Sequence, residues 1–171
     1  WLAEAQQQLG EDGSSELQKA LALNPKSILA QAMQALALQR QGDAQGVLIT
    51  LEQIAAQEPT DPQWAVALGQ ARAQLGNLEA AITEFLRATA LEPENVSLWQ
   101  ALAEFSLAYQ YQVSSVGIPA ANKAVLLAPD DPRSLDLAGQ ADLSNAELDE
   151  AEGYFRAAIS QDPRYAPAHL H

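Results

Sequence analysis

The side chains able to carry chemistry in this chain are few. Its two imidazoles, His169 and His171, are the only candidates for a nitrogen base or a histidine ligand. Alternate residues on a helix do not face one another, so the pair reads as part of a truncated further helix rather than as a metal site. There is no cysteine, which removes thiolate nucleophiles, disulfides and zinc-thiolate sites together. Neither a G-x-x-x-x-G-K-[ST] nor a G-x-G-x-x-G stretch is present to cradle phosphates. The acids Glu147, Asp149, Glu150 and Glu152 form the notable carboxylate cluster, but acids in the opening turns of a helix complement its positive end. We read them as structural, with a basic partner as the alternative. Asn95-Val96-Ser97 fits a glycosylation acceptor, although a helix start explains it better. Neither catalysis nor a cofactor nor a metal is expected, which leaves a surface.

Composition narrows what that surface could meet. The 171 residues carry nine Lys plus Arg against 22 Asp plus Glu, a formal charge of -13. Binding nucleic acid through counterion release requires a basic face, so no nucleic-acid partner is expected. Anionic lipid surfaces are disfavoured for the same reason, and no run approaches the roughly 18 apolar residues of a membrane span. The chain opens on Trp1 without an initiator Met or a charged leader, so we expect a fragment of a longer protein. The compartment is not legible beyond a lean toward the cytoplasm.

The elements that must position the surface are marked by a recurring punctuation. In "ALEPENVSLWQALAE", residues 90–104, Pro93 lacks an amide hydrogen and pushes Glu92 off helical angles, and Asn95 offers a side-chain oxygen to a new helix start. Prolines recur in this context at Pro25, Pro59, Pro93, Pro129 and Pro163, spaced 34, 34, 36 and 34 residues apart. Ser27, Asp61, Asn95 and Asp131 follow the first four by two residues, and each is a good helix cap. Mid-repeat breaks at "RQGD", "QLGN" and "LSNAE" divide the intervals into helical hairpins. Ala35, Gly69, Ala103 and Gly139 supply small residues where first helices approach neighbours, as Ala20, Ala88, Ala124 and Ala158 do in second helices. Leu17, Leu51, Phe85 and Phe155 are the matching large residues. A hairpin of this kind cannot bury its apolar face alone, so the units must stack.

A helical period of this length resembles the tetratricopeptide repeat, whose pattern runs W-x2-L-G-x2-Y, then A-x3-F, then P. Leu68, Gly69, Gly76, Ala81, Phe85, Ala88 and Pro93 carry the resemblance most clearly. Trp99, Leu102 and Ala103 repeat its first-helix signature, and Leu135, Gly139, Ala151, Phe155, Ala158 and Pro163 follow. The resemblance implies an all-α, right-handed superhelical solenoid with units 1–27, 28–61, 62–95, 96–131 and 132–165 and a stub at 166–171. Departures are also visible. Val47 and Ile54 are bulkier than the pattern asks, Ala121 is smaller, and Trp64 lies one residue early with Ala65 in the aromatic's place. The fourth unit carries two extra residues around "YQYQVSSVGIPAANK", which predicts a longer loop, Ser114 or Ser115 near the helix start and Pro119 in the first turn.

Where the family closes its first helix with an aromatic, this chain has Leu38, Arg72, Ser106 and Asp142. One reading is a satisfied network in which Arg72 pairs with Glu104 or a neighbouring acid; the other is a polar strip facing a ligand.

Tetratricopeptide domains typically hold protein segments in the concave face lined by their first helices. Transferred by register, that face comprises Gln39, Val66, Gln70, Ala73, Gln100, Glu104, Leu107, Arg133, Asp136 and Gln140, with Ala32, Leu36 and Arg40 alongside. Arg133 and Arg40 are its only cations, so the Lys, Arg and Asn clamp that chaperone-tail binders close on a terminal carboxylate is not expected. The resemblance instead implies an interaction scaffold for an extended peptide or protein segment, a basic one included, bound through amides and small apolar pockets. Tyr109 and Tyr111 are candidate anchors; Trp99 is a further one, although its motif position argues for inter-helix core. The competing reading is a structural spacer that forms a homo-oligomer through Phe155 and Ile159, left partly uncovered on the last second helix. RNA reading by related helical-hairpin repeats is disfavoured by the charge.

Overall fold

The computed structural model describes residues 11–170, with side chains from residue 15 onward. His171 and residues 1–10, hence the opening of the first expected unit, lie outside the described residues. All regular structure among the described residues is helical, with no strand, and it falls into two compact units, Trp1–Pro59 and Thr60–His171.

The first unit contains α1 (Glu11–Leu23), α2 (Ile28–Gln41) and α3 (Ala44–Gln57). Its helices pack in chain order and bury Leu17, Ala35, Leu51 and Ile54. Ile54, large for its position, is wholly enclosed.

The second unit contains α4 (Pro62–Gln74), α5 (Leu78–Leu91), α6 (Val96–Ala108), α7 (Ile118–Leu127), α8 (Pro132–Ser144) and α9 (Leu148–Gln161). A π-helical turn at Val113–Gly117 precedes α7, and a 3-10 turn at Pro167–His169 follows α9. Each first helix packs antiparallel on its own second helix, α4 on α5, α6 on α7 and α8 on α9, and α6 also contacts α4 and α8. This is a helical-hairpin solenoid. Its central cluster joins Ile82, Phe85, Leu102, Phe105, Leu107 and Leu137.

The starts and stops are made by the residues the spacing marks. Ser27, Asp61, Asn95 and Asp131 cap α2, α4, α6 and α8, accepting from the amides of Ala30, Gln63, Ser97 and Ser134. Asp43 and Asn77 cap second helices in the same way. Each mid-repeat turn closes on one bond across five residues: the amides of Asp43, Asn77, Tyr111 and Glu147 donate to the carbonyls of Leu38, Arg72, Ser106 and Asp142. This closure demands a left-handed residue just before the donor. Gly42 and Gly76 take it at φ 77° and 78°, but Gln110 and Ala146 are forced to φ 49° and 62°.

Close approach is equally local. A methyl group on Gly69 would lie 2.8 Å from the Phe85 ring, and one on Gly139 would lie 2.5 Å from that of Phe155. Those aromatics therefore fill the space that the glycines vacate.

A second device was not anticipated from the sequence. At three inter-repeat junctions the side chain six residues after the proline donates to that proline's carbonyl: Gln31 to Pro25 at 2.9 Å, Trp99 to Pro93 at 2.7 Å and His169 to Pro163 at 3.0 Å. A carbonyl only accepts, so Nε2 of His169 carries the proton in this bond. Trp99 is half-buried against the central cluster and ties its helix to the preceding turn.

Two expectations are corrected here. Phe155 is 6% exposed, because Gly139 receives its ring, and it is not an open edge. The residues after α9 fold back, so that Ala168 and Tyr165 join Leu135, Ala158 and Ile159 in one cluster. Ser114 and Ser115 belong to the π-helical turn, and α7 starts without a side-chain cap, with Pro119 in its first turn.

Candidate binding face

The candidate face of the second unit is built on α4, α6 and α8, whose mutual packing sets successive first helices side by side. Gln39, on α2 of the first unit, is exposed. Of the remaining expected residues, Gln70 is exposed and Val66, Glu104, Arg133 and Gln140 are half-buried. Four are enclosed. Ala73 and Leu107 are part of the central cluster, while Gln100 and Asp136 are buried polar groups at 5% and 2% exposure.

The burial of Gln100 has a clear cause. Its Nε2 donates to Asp131 Oδ2 at 2.6 Å and to Ser134 Oγ at 2.8 Å, while the same Asp131 oxygen accepts from the Ser134 amide and hydroxyl. One amide thus ties α6 to the cap of α8, and it is committed to holding adjacent repeats together. Gln140 donates to Asp136 Oδ2 at 2.8 Å within α8. The Tyr165 phenol is held above its usual range, first by burial, then by Asp136, with smaller effects of Glu104 and Asp131 in the same direction; Arg133 opposes them. An acidic region therefore spans α6 and α8.

Two of the three polar residues at the family's aromatic position, Arg72 and Ser106, are engaged locally. Arg72 Nη1 lies 2.7 Å from Glu84, which Arg87 also holds at 2.8 Å. The partner is the neighbouring acid on the second helix, whereas Glu104 is engaged by Arg133 through Nε–Oε1 at 2.8 Å and Nη2–Oε2 at 2.7 Å. Ser106 donates to the Tyr111 carbonyl and so braces the longer turn.

Between α4 and α6 lies an open groove of about 230 Å³, lined by Gln70, Ala73, Gln74, Phe85, Ala101, Glu104, Phe105, Ala108 and Tyr109. Ligand pockets for drug-sized molecules usually run to roughly 300–1,000 Å³, so this one suits a side chain of a longer partner. Phe105 stacks on Phe85 with centroids 4.9 Å apart and contacts Tyr109 at 5.3 Å and Tyr111 at 6.4 Å. Register transfer identified Gln70, Ala73 and Glu104 but missed Gln74, Ala101, Phe105 and Ala108. Helical spacing was the available signal, since Gln74 follows Gln70 by one turn, as Ala108 follows Glu104.

Among the described residues no group of three or more His, Cys, Asp or Glu is placed to hold a metal ion. No described helix is long and apolar enough to cross a membrane.

Stacked helical hairpins with a groove between their first helices define an interaction scaffold of the helical-repeat class. Residues 38–105 match the sequence model of the tetratricopeptide repeat family. No curated protein matches the chain. Among solved structures, the crystal structure of MamA superposes with a TM-score of 0.73 at 20% identity, over 90% of this chain and 89% of that one. A Pseudomonas aeruginosa structure, pilF, gives 0.75 at 19% identity, over 99% and 76%. YrrB, described as a TPR protein with an unusual peptide-binding site, gives 0.65 at 21% identity, over 89% and 77%. These likenesses are of fold.

Proposed function

We propose that this chain binds an extended peptide or protein segment along the first-helix face of its second unit, using the groove between α4 and α6 as the principal contact. The observation that carries this reading is the groove's chemistry. Amides at Gln70 and Gln74 can meet a peptide backbone, and Ala73, Ala101 and Phe105 offer an apolar floor beside exposed Tyr109. Rigid helices hold these groups in place, which limits the entropy lost on binding. The peptide-binding site named for YrrB lends support by analogy of fold alone. Face residues already enclosed, Gln100 and Asp136 among them, act in this reading as struts that set the spacing of α6 and α8.

The test is selection of binders from a random-peptide library, followed by affinity measurement against Gln70→Ala and Tyr109→Ala. Peptides weakened about fivefold or more by either change would support the reading. Binders indifferent to both, or no binders, would count against it. The alternative of self-association rested on Phe155 and Ile159; Phe155 is buried, and Ile159 is half-buried in the cluster with Ala168 and Tyr165.

A further inference from the structure

We infer that the groove between α4 and α6 is a subsite for one lysine or arginine side chain of the bound segment. The inference rests on the peptide-binding reading above and adds the chemistry that the site selects.

Charge comes first. The lining contains one carboxylate, Glu104, and no cationic side chain. Beyond it, Asp131 and Asp136 outnumber Arg133 on the adjoining repeat, and their combined influence reaches Tyr165. A cation approaching the groove therefore meets a negative potential, whereas an acidic residue is repelled.

Shape comes second. A long basic side chain has an apolar stem and a charged tip, and buries the one while keeping the other at a polar rim. The groove has that layout, with Ala73, Ala101 and Phe105 for the stem and Glu104 for the tip. Tyr109 is 43% exposed and lines the same groove, so its ring face is available to a cation.

The third argument is that Glu104 already accepts a guanidinium. Arg133 engages both of its oxygens in the forked geometry that suits a carboxylate. Each oxygen has a second acceptor position, and the Glu104 side chain is 45% exposed. Arg133 is thus an internal competitor for the cation of the partner, and removing it should strengthen binding.

The experiment uses a fluorescein-labelled peptide selected from a random library on the full chain, with position-by-position replacement of each basic residue by norleucine and by glutamate. We expect one position where Lys or Arg is preferred over norleucine by about tenfold, a preference that shrinks with salt. Glu104→Gln should bring that ratio close to one, Tyr109→Ala should reduce it, and Arg133→Gln should tighten the basic peptide several-fold. Circular dichroism checks that each variant is folded, and Tyr109→Ala provides the test if Glu104→Gln is not. Selected peptides that depend on Gln70 but show no basic preference, or one unmoved by both Glu104→Gln and Tyr109→Ala, would overturn the subsite and leave the peptide-binding reading standing. A library that yields no binder would overturn both.

Discussion

Arg133 and Glu104 join first helices of adjacent repeats by two parallel bonds of 2.8 Å and 2.7 Å, with their side chains 43% and 45% exposed. Exposed pairs of this kind gain little net energy, because water screens them and two long side chains must be fixed. Replacing either residue by Gln should change unfolding free energy by less than about 1 kcal/mol in urea titrations. A loss above roughly 2 kcal/mol would mean that the pair holds the repeats together and is not available to a ligand.

The mid-repeat turns make a sharper prediction. Gln110 and Ala146 occupy the left-handed position that Gly42 and Gly76 fill elsewhere. Gln110→Gly and Ala146→Gly should each stabilise the fold by up to about 1 kcal/mol, whereas Gly76→Ala should cost a similar amount. A methyl group on Gly76 would meet no atom within 4 Å, so any loss there is conformational. Equal effects of all three substitutions in chemical denaturation would contradict this account of the turns.

Two glycines on adjoining helices should respond in opposite directions. At Gly139 a methyl group collides with the Phe155 ring, whereas at Gly153 it meets nothing within 4 Å. Gly139→Ala should destabilise by about 1–3 kcal/mol through overpacking. Gly153→Ala, within α9, should stabilise by up to about 1 kcal/mol through helix propensity. Thermal melts of the two variants give the comparison directly.

Asp142 carries a pH signature. Burial, then Glu147 and Glu150, raise its pKa above the ordinary 3.8. The folded state therefore holds this proton more tightly than the unfolded chain. Its contribution to stability is present below about pH 3.8 and is lost as pH rises through the raised value. Asp142→Asn should therefore be more stable than the parent at neutral pH, with the advantage disappearing in acid. An advantage that persists unchanged in acid would contradict the assignment.

Much of this architecture was legible because it is local. A proline followed two residues later by a capping side chain states where one helix ends and the next begins, and Ser27, Asp61, Asn95 and Asp131 all form the bonds expected of them. Phe155 shows where such reading fails. Its ring is received by Gly139 on α8, an approach set by how closely the two helices pack, while the residues after α9 fold back through Ala168 and Tyr165 onto Ala158 and Ile159. The face was read less well than the helices. Register assigns Gln100 to the first-helix face but cannot reveal that Asp131 and Ser134, more than 30 residues away in the chain, consume its amide. Nor does register locate a groove, because a concavity depends on the spacing between α4 and α6 and on how Phe105 and Tyr109 turn relative to each other.

The most direct measurement is amide chemical-shift mapping of the isotope-labelled chain with a library-selected peptide. Binding in the groove predicts the largest shifts at Gln70, Gln74, Ala101, Glu104, Ala108 and Tyr109, with little change on the outward sides of α5, α7 and α9. Shifts centred on those second helices, with the α4 and α6 amides unmoved, would contradict it.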